Sequence, residues 1–347
     1  MFKGVNRMEK IAILTIVSEN CGNRLQNYAL QQTLKNMGYN VYTIQRKGRT
    51  LKFRIKQVIR SCIVKDYHSS CFWFNRKIQW TRQVIPEGNL KFQWTDCYDR
   101  YVIGSDQIWN VTFDFIGEND FLPSIEKQKK CSYAASFGIT RIPQNQANMV
   151  AKMLSQVDSI SVREDAGKRI VEDLTDQTAE VVLDPTLLLD SSQWAKIERK
   201  PYGMSTGKFI FTYILGCDDA VEGIEAAAQK KGVEVVSFDG RTGTIGPAEF
   251  IYCVHHAEAV CTDSFHASVF SMMFKKKFII LRRNSSDVDM YSRLDTLCDT
   301  FELESHKCST VNLEDLLNQS NSYERQFEIL QNRKKESLDF LTSALEK

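Results

Sequence analysis

No run in this sequence reaches the roughly 18 apolar residues that a membrane-spanning helix requires. The apolar stretch "IAILTIV" near the N-terminus is far too short. It follows cationic residues, as the apolar part of an export signal does, but no small-x-small cleavage site comes after it. Met8 opens "MEKIAIL" cleanly and offers an alternative start. The ten cysteines are scattered and contain no C-x-x-C, which excludes a zinc ribbon or a dithiol redox motif. Without an export signal, scattered thiols suit a reducing cytoplasm, where a buried thiol behaves as a small hydrophobe. There is no H-E-x-x-H, so no metal is expected, and no G-x-S-x-G elbow of a serine hydrolase. Internal repeats and low-complexity segments are also missing. A net charge of +2 gives no global pull towards nucleic acid, and none is expected as a partner.

What is present is ordinary for a soluble enzyme: 43% hydrophobic and 25% charged residues over 347 positions. That length predicts two domains, because single cores stop growing beyond about 250–300 residues. Strand-like and helix-like segments alternate throughout. "KIAILTIV", "LQNYALQQTLKNMG" and "NVYTIQ" read as a βαβ unit with a parallel strand pair, the helix ending at Gly38. "RYVIG", "KCSYAASFGI", "SISV" and "AEVVLDPTLLL" continue the first half. Pro185 stops the last strand, since it has no amide hydrogen for a ladder.

"KFIFTYILG", "VEVVSFD", "EAVCT" and "KKKFIIL" supply strands of a second half. A helix over "DDAVEGIEAAAQKKG" has an Asp cap and a Gly stop. Another begins at Pro247, and a charged helical tail runs from about 313 to 347. The expectation is an α/β protein of two doubly wound domains facing a cleft. Residues 1–185 form the N-terminal domain, joined by the C-terminal helix 320–347, and residues 186–319 form the second.

Between Arg46 and Arg82 the texture changes. Arg46, Lys47, Arg49, Lys52, Arg54, Lys56 and Arg60 occur with no acid among them, interleaved with Leu51, Phe53, Ile55, Val58 and Ile59. A solvated basic helix packing one face on its domain accounts for this pattern. So does a patch that meets anionic lipid headgroups or a phosphate-bearing acceptor. RNA is a third reading, without a recognisable RNA-binding module to support it.

Ligands in open α/β sheets sit beyond the carboxyl ends of the strands. The first such junction, "SENCGNRLQNYALQ", lacks the G-x-G-x-x-G of a dinucleotide site and the Lys-Ser/Thr of a phosphate loop. It offers instead a loop of Asn20, Gly22, Asn23 and Arg24, suited to hydroxyl-rich and anionic groups, with Gly22 permitting close backbone approach. The other reactive strand-end positions are Ser105, Asp106, Arg163, Asp184 and the run Thr262-Asp263-Ser264-Phe265-His266.

In that run Asp263 or Ser264 is a helix cap, and His266 lies in the first turn, where free amides and the helix dipole favour an anion. A histidine there either bonds the anion and moves a proton, or simply packs behind its helix. Arg163 either clamps a carboxylate or phosphate or pairs with Glu164 or Asp165. Asp184 is either a base or part of an Asp-Pro turn. His255 and His256 are read as structural, because adjacent helical residues do not face one direction.

The ordered set "GNRLQNYALQ", "VIGSDQIWN", "YAASFG", "SVREDAG", "VVLDPTLLL", "PAEFI" and "CTDSFHASVFS" resembles the polysaccharide pyruvyl transferase family, from about Ile11 to Leu303. The resemblance implies a fold similar to two-domain GT-B glycosyltransferases. It also implies phosphoenolpyruvate as donor and a sugar acceptor that becomes a cyclic pyruvate ketal. The family's arginine after a mid-chain strand falls on Arg163 and its histidine on His266, both implied in donor binding and catalysis. Several members carry arginine two residues before that histidine, where this chain has Ser264. Helix amides, Ser264 itself or Arg293 in "MYSRLDTL" would then grip the donor.

Asn23, Arg24, Gln26 and Asp106 are assigned to the acceptor, and no cofactor is expected. The expected activity is pyruvyl transfer in surface-polysaccharide biosynthesis, in the cytoplasm or peripherally at the inner face of the membrane. The acceptor is a sugar or a lipid-linked oligosaccharide. The rivals are a GT-B glycosyltransferase using a nucleotide-sugar and a non-catalytic two-lobed ligand sensor.

Overall fold

Strand and helix alternate along the computed structural model, which describes residues 7–17, 20–46, 51–88, 97–216, 218–240, 242–282, 292–308, 312–318, 320 and 322–347. The first half runs β1 (Lys10–Leu14), α1 (Cys21–Asn36), β2 (Asn40–Gln45), α2 (Leu51–Ile63), α3 (Tyr67–Asn75), β3 (Trp80–Val84), β4 (Arg100–Ile103) and β5 (Lys130–Ser132). It continues with α4 (Ala147–Leu154), β6 (Ile160–Val162), α5 (Asp165–Leu174) and β7 (Ala179–Val181). After α6 (Ser191–Ala195), the second half has β8 (Phe209–Tyr213), α7 (Asp218–Lys231), β9 (Glu234–Phe238), α8 (Pro247–His256), β10 (Ala259–Thr262) and α9 (Phe265–Met273). β11 (Lys277–Leu281), α10 (Ser292–Phe301), β12 (Lys307–Cys308), α11 (Leu313–Asn318) and α12 (Glu324–Glu346) complete it.

Each half is built on a parallel five-stranded sheet, ordered β3-β2-β1-β4-β5 in the first and β12-β11-β10-β8-β9 in the second. The short parallel pair β6-β7 adjoins β5 through bridges at Cys131–Ser159 and Ala135–Val162. The strand order reverses beside β1 and β4 in one sheet and beside β8 and β10 in the other. Such reversals open crevices at the strands' carboxyl ends.

The central strands are buried almost continuously, as in β1 and β10, because helices cover both faces of a parallel sheet. One apolar cluster spans the halves, from Ile11 and Leu25 to Phe250 and Phe270. Trp194 bridges them, with ring centroids 5.8 Å from Tyr28 and 5.0 Å from Phe270. Helix α12 straps the molecule. Tyr323, just before it, donates to the Lys276 carbonyl in the second half, while Ser337 accepts from the Leu183 amide and Lys347 donates to Ser159.

The charged tail is helical as expected, in two pieces, α11 and α12. Other local expectations change. The helix after β1 begins at Cys21, so Asn23 and Arg24 stand on its first turn and not on a loop; Asn20 caps it by accepting from the Gly22 amide. The basic segment's first residue, Arg46, has its side chain buried and paired with Asp120. Lys47 and Arg49 lie outside the described residues, as do the side chains of Lys52 and Arg54. Among the described residues no cysteine is bonded to another, and no helix is long and apolar enough to cross a membrane.

Candidate functional site

Four strand ends and two helix starts converge where the halves meet. Asp106 follows β4, Arg163 follows β6, Asp184 follows β7, and His266 lies in the first turn of α9 behind β10. Facing His266 from the first half, the first turn of α1 presents Gly22 and Asn23, so close that a β-carbon on Gly22 would lie 2.2 Å from Nδ1 of His266. Two helix N-termini, one from each half, therefore face the same place, and both favour negative charge.

Arg163 is the electrostatic centre. Its Nη1 donates to Oδ2 of Asp184 at 2.7 Å and its Nη2 to Oδ1 of Asp106 at 3.4 Å. Its guanidinium carbon sits 4.7 Å from the centroid of the Phe265 ring. The alternative of an ion pair with Glu164 is not the one formed. Glu164 turns away and accepts from Ser136 Oγ and from the amides of Phe137 and Gly138. Arg163 reaches instead to acids from two other strand ends. Burial opposes ionisation of Asp184, but the Arg163 guanidinium, His266 and the Thr186 donors hold its pKa down to about 2. Asp106 is lowered likewise: burial opposes, and Arg163, His266 and Arg293 prevail.

Asp184 caps the Asp-Pro turn, as the structural reading had it, and is also a hub of the cluster. Its Oδ1 accepts from the amide and hydroxyl of Thr186, and its Oδ2 accepts from Ser105 and Arg163. The same Oδ2 lies 3.9 Å from Nε2 of His266. That nitrogen is buried and has no hydrogen-bond partner among the described residues. Burial pushes the imidazole below the usual histidine range, with Asp184 and Asp106 pulling the other way. An unprotonated imidazole beside two ionised carboxylates is poised to take up a proton when further negative charge arrives.

Helix α9 is not capped as expected. Ser264 holds the N-cap position without a side-chain cap bond, and Asp263 accepts instead from the Leu215 amide. The first-turn amides are therefore left without the usual side-chain acceptor. Arg293, from α10, approaches to 3.9 Å from Asp106 Oδ1. It shares a cleft pocket with Arg163, Asp184, Phe265, Thr296 and Arg333.

The acceptor candidates divide. Asn23 Nδ2 donates to Asp106 Oδ2, joining both to the cluster. Asp106 itself has φ +68°, a costly conformation for a residue other than glycine, held by its carbonyl accepting from Ile108 and Ser136. Arg24 turns elsewhere, donating to Asn75 at the end of α3. Gln26 is wholly buried and braces the β1–α1 turn through Thr15 and the Asn23 carbonyl. His255 and His256 do meet one partner, contrary to expectation. His255 uses Nδ1 and His256 Nε2, and this difference in reach lets consecutive residues approach the two oxygens of Glu198, at 2.7 and 2.9 Å.

The sequence pattern described as polysaccharide pyruvyl transferase matches residues 20–285, which contain Asn23, Asp106, Arg163, Asp184 and His266. The chain belongs to the polysaccharide pyruvyl transferase family. No curated protein matches the chain.

Among solved structures, UDP-GlcNAc 2-epimerase from Methanocaldococcus jannaschii, in complex with UDP-GlcNAc and UDP, is similar with a TM-score of 0.52 at 13% identity, covering 96% of this chain and 99% of that one. The spinosyn forosaminyltransferase SpnP is similar with a TM-score of 0.50 at 10% identity, covering 98% and 100%. These neighbours fix the family member's fold as GT-B-like, as the sequence resemblance implied. The family supports a transferase.

Proposed function

We propose that this family member transfers the pyruvyl group of phosphoenolpyruvate to two hydroxyls of one sugar, forming a cyclic ketal. The observation that carries this reading is the buried Nε2 of His266, unpartnered among the described residues and facing Asp184 at 3.9 Å beside the uncapped α9 terminus.

The chemistry needs an acid for the enol carbon, cations for a carboxylate and a phosphate, and exclusion of water. The phosphate adds negative charge next to the neutral imidazole and draws a proton onto it, with Asp184 stabilising the imidazolium. His266 then protonates C3, so that C2 becomes oxocarbenium-like and one sugar hydroxyl attacks it. The C2–O bond to phosphate breaks and the second hydroxyl closes the ring. Of the two hydroxyl protons released, one replaces that given to C3 and the other leaves with phosphate.

In this reading Arg163 and Arg293 supply the cations for the donor, the α9 amides and Ser264 complete the anion grip, and Asn23 with Asp106 faces the acceptor. In this assignment Arg24 and Gln26 shape the turn rather than touch the sugar. The acceptor is the sugar of a growing surface polysaccharide, in free or lipid-linked form, and the work is done in the cytoplasm.

The test incubates the protein with phosphoenolpyruvate and a panel of glycosides, reading phosphate release and the mass gain of a ketal. Phosphate release coupled to a ketal product is expected. Stabilisation by nucleotide-sugars alone, with no phosphate released, would replace this reading with a glycosyltransferase. Binding of phosphoenolpyruvate without any product would leave a ligand sensor.

A further inference from the structure

Helix α2 is amphipathic with its apolar side outward. Among the described residues nine large apolar side chains are exposed, and five of them, Ile55, Val58, Ile59, Ile63 and Val64, fall in one ten-residue stretch. Ile55, Ile59 and Ile63 recur at intervals of four and are 53%, 57% and 74% exposed. Val58 and the exposed Cys62 complete the same arc. The inward position is taken by a small polar residue: Ser61 is 2% exposed, and its carbonyl accepts from the Trp73 indole on α3. Water is a poor medium for such an arc, and contiguous exposed apolar patches mark interaction sites.

The charge pattern says what covers it. Lys56, Arg60 and Lys65 are exposed around the arc, Arg60 being also paired with Asp66, and no acid occurs between Arg46 and Lys65. A second copy docking by twofold symmetry would oppose these cations to themselves. An anionic surface with an apolar interior satisfies both features.

We propose that α2 is an interfacial helix that lays Ile55, Val58, Ile59 and Ile63 into the headgroup–acyl boundary of an anionic lipid leaflet. Helix α3 carries the anchor to the cleft, since the Tyr67 amide donates to the Gly243 carbonyl of the second half and Asn75 accepts from Arg24 of α1. A sugar carried on a lipid is then presented beside the site. The anchor does not depend on the donor chemistry.

The test is flotation of the full chain with phosphatidylcholine vesicles, with and without phosphatidylglycerol, and with no donor or acceptor present. A failure here therefore leaves the pyruvyl transfer reading untouched, and the reverse holds. Vesicles containing phosphatidylglycerol should bind the chain at least ~10-fold more tightly than neutral ones. Ile59→Asp/Ile63→Asp should weaken binding by at least ~10-fold with an unchanged melting curve, because both side chains are already exposed. Salt should weaken binding without abolishing it, since only the charged part is screened. Absence of binding, equal binding to both vesicles, or wild-type binding by the double variant would overturn the proposal. So would a concentration-dependent dimer that the double variant dissolves.

Discussion

Gly22 of the first half and His266 of the second touch: a β-carbon on Gly22 would stand 2.2 Å from Nδ1 of the imidazole. Gly22 belongs to the first turn of α1 and His266 to the first turn of α9, so one contact fixes how two helix N-termini share a site. Gly22→Ala should therefore displace the imidazole. Alanine is the better helix residue by about 1 kcal/mol, which offsets part of the steric cost to stability. The expected outcome is a modest change in melting temperature beside a loss of turnover of ~10-fold or more, the scale of a misplaced catalytic group. Wild-type turnover in a folded Gly22→Ala protein would show that the ring tolerates displacement.

His266 carries the proton in the proposed reaction. His266→Ala should fold and lose about 10²–10⁴-fold in turnover. His266→Gln should keep more donor affinity than activity, because an amide bonds an anion but cannot shuttle a proton. His255→Ala and His256→Ala, which lose their bonds to Glu198 and their stacking on Phe274 and Tyr252, should be far milder. Turnover measured beside a melting curve decides. Near-normal turnover in folded His266→Ala would reduce the histidine to packing.

Arg163 serves two carboxylates with one planar fork. Lysine keeps the charge but cannot reproduce that geometry. Arg163→Lys should lose about 2 kcal/mol of stability, the scale of one hydrogen bond to a charged group, and should raise the KM for the donor. Unfolding in urea and steady-state kinetics test both halves. Unchanged stability would mean that the ammonium bridges Asp106 and Asp184 equally well.

Acid should expose Asp184. Its folded pKa of about 2 lies below the unfolded value, so its contribution is complete above about pH 4 and fades as pH falls towards 2. The stability difference between wild type and Asp184→Asn should shrink over that window. His266 acts at higher pH. Its folded pKa is lowered, so wild type should begin losing stability as pH falls through the unfolded value of about 6.5, and His266→Gln should remove that slope. Urea titrations at stepped pH supply the measurement, and parallel wild-type and variant curves would refute the assignment.

Much of the architecture was legible in short windows. β-Branched runs marked β1, β8 and β11, Pro247 marked the start of α8, and the strand-end rule picked out Asp106, Arg163, Asp184 and His266 before any contact was known. The boundary of α1 was not legible, because "CGNRL" has weak apolar periodicity and the Asn20 cap was indistinguishable from loop composition. Nor was Ser264 separable from a working cap, since its residue type favours capping while its surroundings decide otherwise.

By itself, then, the sequence determined the alternation of strands and helices and which reactive side chains stand at strand ends. Those follow from periodicity and residue chemistry within about ten neighbours. Only the tertiary structure decided that Arg163 passes over the adjacent Glu164 to bind Asp184 and Asp106, that Gly22 abuts His266, and that Arg293 comes within 3.9 Å of Asp106. These pairings join residues tens to hundreds of positions apart. They depend on strand order and on how two sheets pack, and no local pattern encodes either.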